Sequence, residues 1–137
     1  TITEEIVDRY YGGRVEVDAF KIIDAALLGR APDALFMLRH AFASGLDLVL
    51  MVAGFNSRIR AMAKIHANPR ASAASLGLTD WVASQARTSI AGWDDDGLGR
   101  VIQALADADA AAKGAERDPE FRLEQLIALI ANKGRLA

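Results

Sequence analysis

The sequence predicts an all-α domain, an antiparallel helical bundle of seven to eight helices. Three observations lead there. Apolar residues recur at three- and four-residue spacing along most of the chain, the rhythm of a helix with one buried face. Acids, threonine or proline open the periodic segments and glycine closes them, as helix capping requires. No run alternates apolar and polar residues with the period of a strand.

The first start is Thr1-Ile2-Thr3-Glu4-Glu5, a hydroxyl cap followed by acids at the positive end of the helix dipole; Gly12-Gly13 ends this short helix. Asp18 can cap the next, whose face is Phe20, Ile23 and Leu27, with Ile22 and Ala26 beside it and Gly29 as its stop. Ala31-Pro32-Asp33 opens a third, with Leu35, Leu38 and Phe42 inward and Gly45 beyond its end. A connection this short predicts an antiparallel hairpin. The longest helix runs from Asp47 to about Ala67, with Leu48, Val52, Phe55, Ile59, Met62 and His66 on one side. Gly54 weakens it by about 1 kcal/mol relative to Ala and leaves room for another helix to approach. Asn68-Pro69 stops it.

A small-residue helix is expected over Arg70–Leu76, then a Leu76-Gly77-Leu78 turn and a Thr79-capped helix carrying Trp81, Val82, Ala86 and Ile90. Asp94-Asp95-Asp96 caps a long helix with Leu98, Val101, Ile102, Leu105 and Ala108 on one face. Asp109 and Lys113 are spaced as a helical ion pair, and Gly114 loosens the end. Asp118-Pro119-Glu120 restarts the chain with a cap, a proline at the first helical position and an acid. The closing helix holds Phe121, Leu123, Leu126, Ile127, Leu129 and Ile130. It is too apolar for a solvated surface helix and must be buried on more than one side.

The 137 residues are enough for a real core, and 52% are hydrophobic, which excludes a disordered chain. Cysteine is absent, excluding a disulfide scaffold and thiolate metal sites and fitting a reducing cytosol. A net charge of −2 gives no global pull toward nucleic acid or anionic lipid. No apolar run reaches the ~18 residues of a membrane span, so no membrane partner is expected. The opening TITEEIV, without an initiator Met or a signal peptide pattern, reads as a piece of something longer cut at a helix start.

Catalytic chemistry has little to stand on. The histidines are His40 and His66 alone; His66 sits on an apolar side, where a satisfied rim residue is commoner than a base or ligand, and His40 follows Arg39 near a helix end, where solvation is expected. No HExxH or GxSxG is present. Asp94-Asp95-Asp96-Gly97 lacks the alternating ligands and closing Glu of a calcium loop and reads as caps. Neither Gly12-Gly13 nor Gly97-Leu98-Gly99 has the surroundings of a phosphate-binding loop. No catalytic, cofactor-binding or metal-binding residue is assigned.

Two nucleic-acid readings arise. Between Asp47 and Asp80 there is no acid, while Arg58, Arg60, Lys64 and Arg70 all lie there, candidate phosphate contacts. Arg60 and Lys64 share the face opposite the apolar stripe and Arg58 lies at its edge, so no single row forms, which favours a solvated face. Residues 73–87 also resemble a helix-turn-helix, the alternative being a DNA-binding regulator. A reading helix wants Arg, Gln, Asn or Ser on its exposed first turns; here stand Asp80, Trp81, Ala83 and Ser84, with Gln85 and Arg87 later. Trp81 and Trp93 are read as core or interface anchors, and Phe121 and Ile130 join them as candidate subunit-interface residues.

The residues also match a family. They are the ITEE helix, Phe20-Lys21-Ile22-Ile23-Asp24-Ala25-Ala26-Leu27-Leu28-Gly29, Ala34-Leu35-Phe36-Met37-Leu38 and Ser44-Gly45-Leu46-Asp47. The Ala-Ser-Leu-Gly-Leu turn with Trp81 follows, then Gln85-Ala86-Arg87, the run Leu105 to Gly114 and Asp118-Pro119-Glu120-Phe121. Together they resemble the C-terminal part of the delta subunit of bacterial DNA polymerase III, a clamp-loader subunit. The AD-xxx-KG run followed by DPE is the most specific part. Gly97-Leu98-Gly99 and the Ala-rich 107–112 face depart from it, and His66 has no role to transfer.

The resemblance implies that residues 1–12 end a helical lid module and residues 13–137 form an all-α collar. The collar would mediate assembly with the other clamp-loader subunits, for loading the sliding clamp in DNA replication. The sliding clamp would be met only through an N-terminal module outside this sequence, and primer-template DNA within the assembled complex. The chain would be cytoplasmic and bacterial, without its own ATP site or cofactor, and part of a nucleotidyltransferase holoenzyme.

Overall fold

The computed structural model describes residues 18–136, so the expected Thr1–Gly12 helix and its lid assignment lie outside the described residues. Among the described residues the chain is all-helical, with no strand. Helix α1 covers 18–27. It is followed by α2 (Ala31–Ala43), α3 (Leu48–Ala67), α4 (Asp80–Ser89), α5 (Asp95–Ala110) and α6 (Pro119–Ala131). Six α-helices are therefore seen among the described residues, where seven to eight were expected of the whole chain. Part of the difference is the segment before α4. The helix expected over Arg70–Leu76 is one 3₁₀ turn, Ala74–Leu76. Its side chains are too small to bury a stripe that would sustain more turns, and Ser72 Oγ accepts from Ser75 N–H at 3.2 Å instead.

The expected caps form. Asp47 accepts from Val49 N–H at 2.8 Å, Thr79 from Val82 at 3.2 Å, Asp94 from Gly97 at 2.7 Å and Asp118 from Phe121 at 3.0 Å. Asp18, expected as a cap, already lies within α1. Asp94→Ala should cost about 1 kcal/mol, seen as a melting temperature a few degrees lower. Asp96→Ala, two positions on, removes no cap bond and breaks no side-chain hydrogen bond among the described residues, and serves as the control.

The helix ends share one device. Gly29 N–H donates to Ala26 and Arg30 N–H to Ala25, at 3.0 and 2.9 Å. The same crossed pair recurs at Gly45 and Leu46 (3.0 and 2.9 Å) and at Gly77 and Leu78 (3.1 and 2.9 Å), the left-handed C-terminal motif. The third instance lets a three-residue turn stop the chain as cleanly as a full helix does.

Helix α3 packs against α4, α5 and α6, while α6 also meets α2 and α5. Buried residues from all six helices form one hydrophobic cluster. Phe55, Met51, Ile59 and Met62 of α3 are at most 1% exposed, as are Leu123, Leu126, Ile127 and Ile130 of α6. The closing helix is thus buried on several sides, as its composition requires. Only Phe121 among its large apolar residues remains exposed.

Two faces are rotated from expectation. On α4, Ala83 and Ala86 are buried and Trp81 points outward; on α5, Gly97 joins Leu98, Val101, Leu105 and Ala108 inside, while Ile102 is exposed. Gly54 does admit a close neighbour: a Cβ there would stand 2.9 Å from Ile23 Cδ1 of α1. The end of an isoleucine can rotate away, and alanine gains helix propensity over glycine. Gly54→Ala should therefore change stability by less than about 1 kcal/mol, whereas Gly54→Leu should cost about 2 kcal/mol by overpacking. Chemical denaturation of both variants separates the cases.

The turn after α6 seats on the start of α5. Gly134 and Gly97 meet backbone to backbone, so that a Cβ on either would fall inside the other segment's carbonyl group. Arg100 donates to Gly134 O at 3.2 Å and Arg135 to Gly92 O at 2.8 Å, closing the chain's end onto residues 92–100.

Candidate interaction surfaces

The first surface is aromatic. Phe20 of α1 and Trp81 of α4 stack with ring centroids 5.8 Å apart at 33°, although the two residues are 38% and 56% exposed. Beneath Phe20 lies Arg58 of α3, its guanidinium carbon 5.5 Å from the ring centroid, within cation–π range. Arg58 is only 12% exposed in its side chain and stands 3.9 Å from Asp24 Oδ1. Both its Nη atoms are buried without a hydrogen-bond partner. Burial pushes its pKa below the ordinary guanidinium value, with Asp24 partly restoring it. A groove of about 250 Å³ continues from Phe20 past Asp24, Leu28, Asp33 and Met37, and Leu28 is itself exposed. The rings are therefore fixed from below and bare above, the arrangement of an anchor that needs little ordering to bind.

The second surface is basic. Arg60 and Lys64 line a groove of about 300 Å³ with Asn56, Ser57, Thr79 and Val82. Lys64 Nζ donates to Leu76 O at 3.2 Å, and Arg87 Nη2 of α4 donates to Ala71 O at 3.1 Å. The loop after α3 is thus held between cations of two helices. Arg70, on that loop, is exposed.

The four cations read from the sequence divide accordingly. Arg60, Lys64 and Arg70 are exposed, and the fold adds Arg87 to them. Arg58 is withdrawn under Phe20 and its guanidinium is shielded from any phosphate. The four interface candidates divide as well. Trp81 and Phe121 are 56% and 55% exposed, whereas Trp93 and Ile130 are 7% and 0% exposed and spend their side chains on the chain's own core. The sequence reading missed Phe20, which its helical spacing placed inward. The segment 73–87 lacks the first α-helix of a helix-turn-helix, having one 3₁₀ turn there.

His66 Nε2 lies 2.6 Å from Asp95 Oδ1, linking the end of α3 to the start of α5 at the rim of the core. His40 packs edge-on against Phe36, with ring centroids 4.6 Å apart. Among the described residues no three His, Cys, Asp or Glu side chains converge as a metal site, and no helix is long and apolar enough to cross a membrane.

The fold defines an all-α domain. No protein-family model, curated protein or solved structure matches the chain.

Proposed function

We propose that the chain is an assembly module, the all-α collar of a delta-type subunit of the bacterial DNA polymerase III clamp loader. In that role residues 13–137 pack beside the collars of the other loader subunits and hold together the machine that loads the sliding clamp in replication. The observation that carries the assembly reading is the exposed Phe20–Trp81 pair, backed by buried Arg58. A monomer gains little by leaving two stacked aromatic rings in water, and Trp and Tyr with Arg are the residues that dominate protein interfaces. The resemblance in the 105–121 run supports the particular machine, and Phe121 at the end of that run is a further exposed aromatic. The helix-turn-helix alternative loses support from the missing first helix and from Asp80 and Trp81 on the exposed first turn of α4.

Affinity capture of the full-length protein from bacterial cells tests the proposal. The other loader subunits should be recovered in near-equal amounts, with the sliding clamp present when the complete protein is used. Recovery of neither would remove the clamp-loader assignment.

A further inference from the structure

We propose that α3, the loop 68–79 and α4 together form a docking surface for the phosphate backbone of a nucleic acid, engaged without regard to sequence. The first ground is charge. From Leu48 to Trp93 the chain carries five cations against one acid, Asp80, although the whole chain has a net charge of −2. Positive charge is therefore concentrated on one part of the fold while the remainder is acidic. With Arg58 withdrawn into the interior, the four cations left, Arg60, Lys64, Arg70 and Arg87, are all exposed.

The second ground is how the fold gathers them. Along α3 alone they form no row. The loop changes this, because Lys64 is pinned to its Leu76 carbonyl and Arg87 to its Ala71 carbonyl. Two helices thereby set their cations along the flanks of one short loop, with Arg70 on the loop itself. Beyond Arg70 the exposed loop residues are Ser72, Ala74, Ser75, Gly77 and Thr79, too small to hold a polyanion away. Arg60 and Arg70 make no salt bridge among the described residues, so their guanidinium forks are available for bidentate phosphate contacts.

The third ground is what is missing for base reading. The exposed first turns of α4 present Asp80, Trp81 and Ser84, and an acid there opposes entry into a groove. Phosphate contacts position a protein and carry no sequence information. The surface does not depend on the assembly reading, because the cations and the loop belong to this chain alone.

The test is fluorescence anisotropy of a labelled 20-base-pair duplex and a single strand of the same length, titrated with the 137-residue chain. Binding should be weak, with Kd on the order of 10 µM to 0.1 mM at about 50 mM salt, and should fall about a hundredfold by about 200 mM, as four phosphate contacts require. Scrambling the duplex sequence should leave it unchanged. Arg60→Gln with Arg70→Gln should weaken it about tenfold or more and reduce the salt slope by about two. The same double variant should melt with the parent, since neither side chain has a hydrogen-bond or ion-pair partner to lose among the described residues. Inorganic phosphate should compete only at millimolar levels, and polyglutamate of equal length should bind more weakly. Absence of binding at low salt, an unaltered Kd in the double variant, or polyglutamate binding as tightly as DNA would each overturn the proposal.

Discussion

Gly134→Ala should lower the stability of the domain by about 3 kcal/mol or more, a drop in melting temperature on the order of 10 °C. Two costs add. Gly134 has φ +75, and a side chain in the left-handed region costs about 1–2 kcal/mol. Its Cβ would also fall on the Gly97 backbone, where neither side can rotate away, and such overpacking costs about 1–3 kcal/mol. Gly97→Ala should destabilise too, in spite of its place inside α5. Alanine is the better helix former, but its methyl would strike the Lys133 carbonyl and would also stand 3.1 Å from the capping Asp94 carboxylate. The contrast is two residues away. A Cβ at Gly99 meets nothing within 4 Å, so Gly99→Ala should stabilise by about 0.5–1 kcal/mol. Thermal melts of the variants at 97 and 99 thus carry opposite signs within one helical turn. Equal effects at 97 and 99 would refute the close seating of the chain's end on α5.

Trp81→Ala should act on assembly and spare the fold. With the residue 56% exposed, truncation removes little core and should cost under about 1 kcal/mol of stability. If it anchors the proposed assembly, its loss should cost about 2 kcal/mol or more of binding, about a thirtyfold loss of affinity for the clamp-loader subunits proposed as partners. Phe20→Ala should give a smaller loss, part of it through Arg58, whose ring contact disappears. Ile102→Ala, an exposed apolar residue of α5 outside the aromatic pair, serves as the comparison. Surface plasmon resonance against the purified partner subunits reads all three; equal losses for Trp81 and Ile102 would dissolve the anchor.

Local features of the fold were legible because their causes are local. Asp47, Thr79, Asp94 and Asp118 each cap the helix that follows, and Gly29, Gly45 and Gly77 each stop what precedes them. The bounds of α3 and α6 follow from those signals and from the apolar rhythm between them. What escaped depends on contacts far apart in sequence. Helical spacing puts Ile102 beside Val101 and Leu105 but cannot tell which edge of a wide apolar stripe faces α3. Phe20 reads as core for the same reason and Trp81 as either core or interface anchor, while two alanines, Ala83 and Ala86, let α4 lie close to its neighbour. Gly97 reads as looseness in a helix start until the turn at Gly134 is seen against it, 37 positions away in the chain. The burial of Arg58 likewise needs Phe20 and Asp24 of α1, and nothing in its own neighbours announces it.

The corrections bear on function as much as on packing. With Trp93 and Ile130 spent on the core, the exposed apolar surface among the described residues is Phe20, Leu28 and Trp81 on one side, together with Phe36, Val49, Leu50, Ile102, Phe121 and Leu136. The excess apolar surface of the closing helix, which by composition had two candidate uses, goes almost wholly to the domain's own core.

Size-exclusion chromatography with light scattering, applied to the 137-residue chain mixed with the remaining clamp-loader subunits, tests the central claim most directly. The account predicts one peak whose mass includes a single copy of the chain, and loss of that copy with Trp81→Ala at the same protein concentration. Elution of the unaltered chain at its own mass, apart from the other subunits, would contradict it.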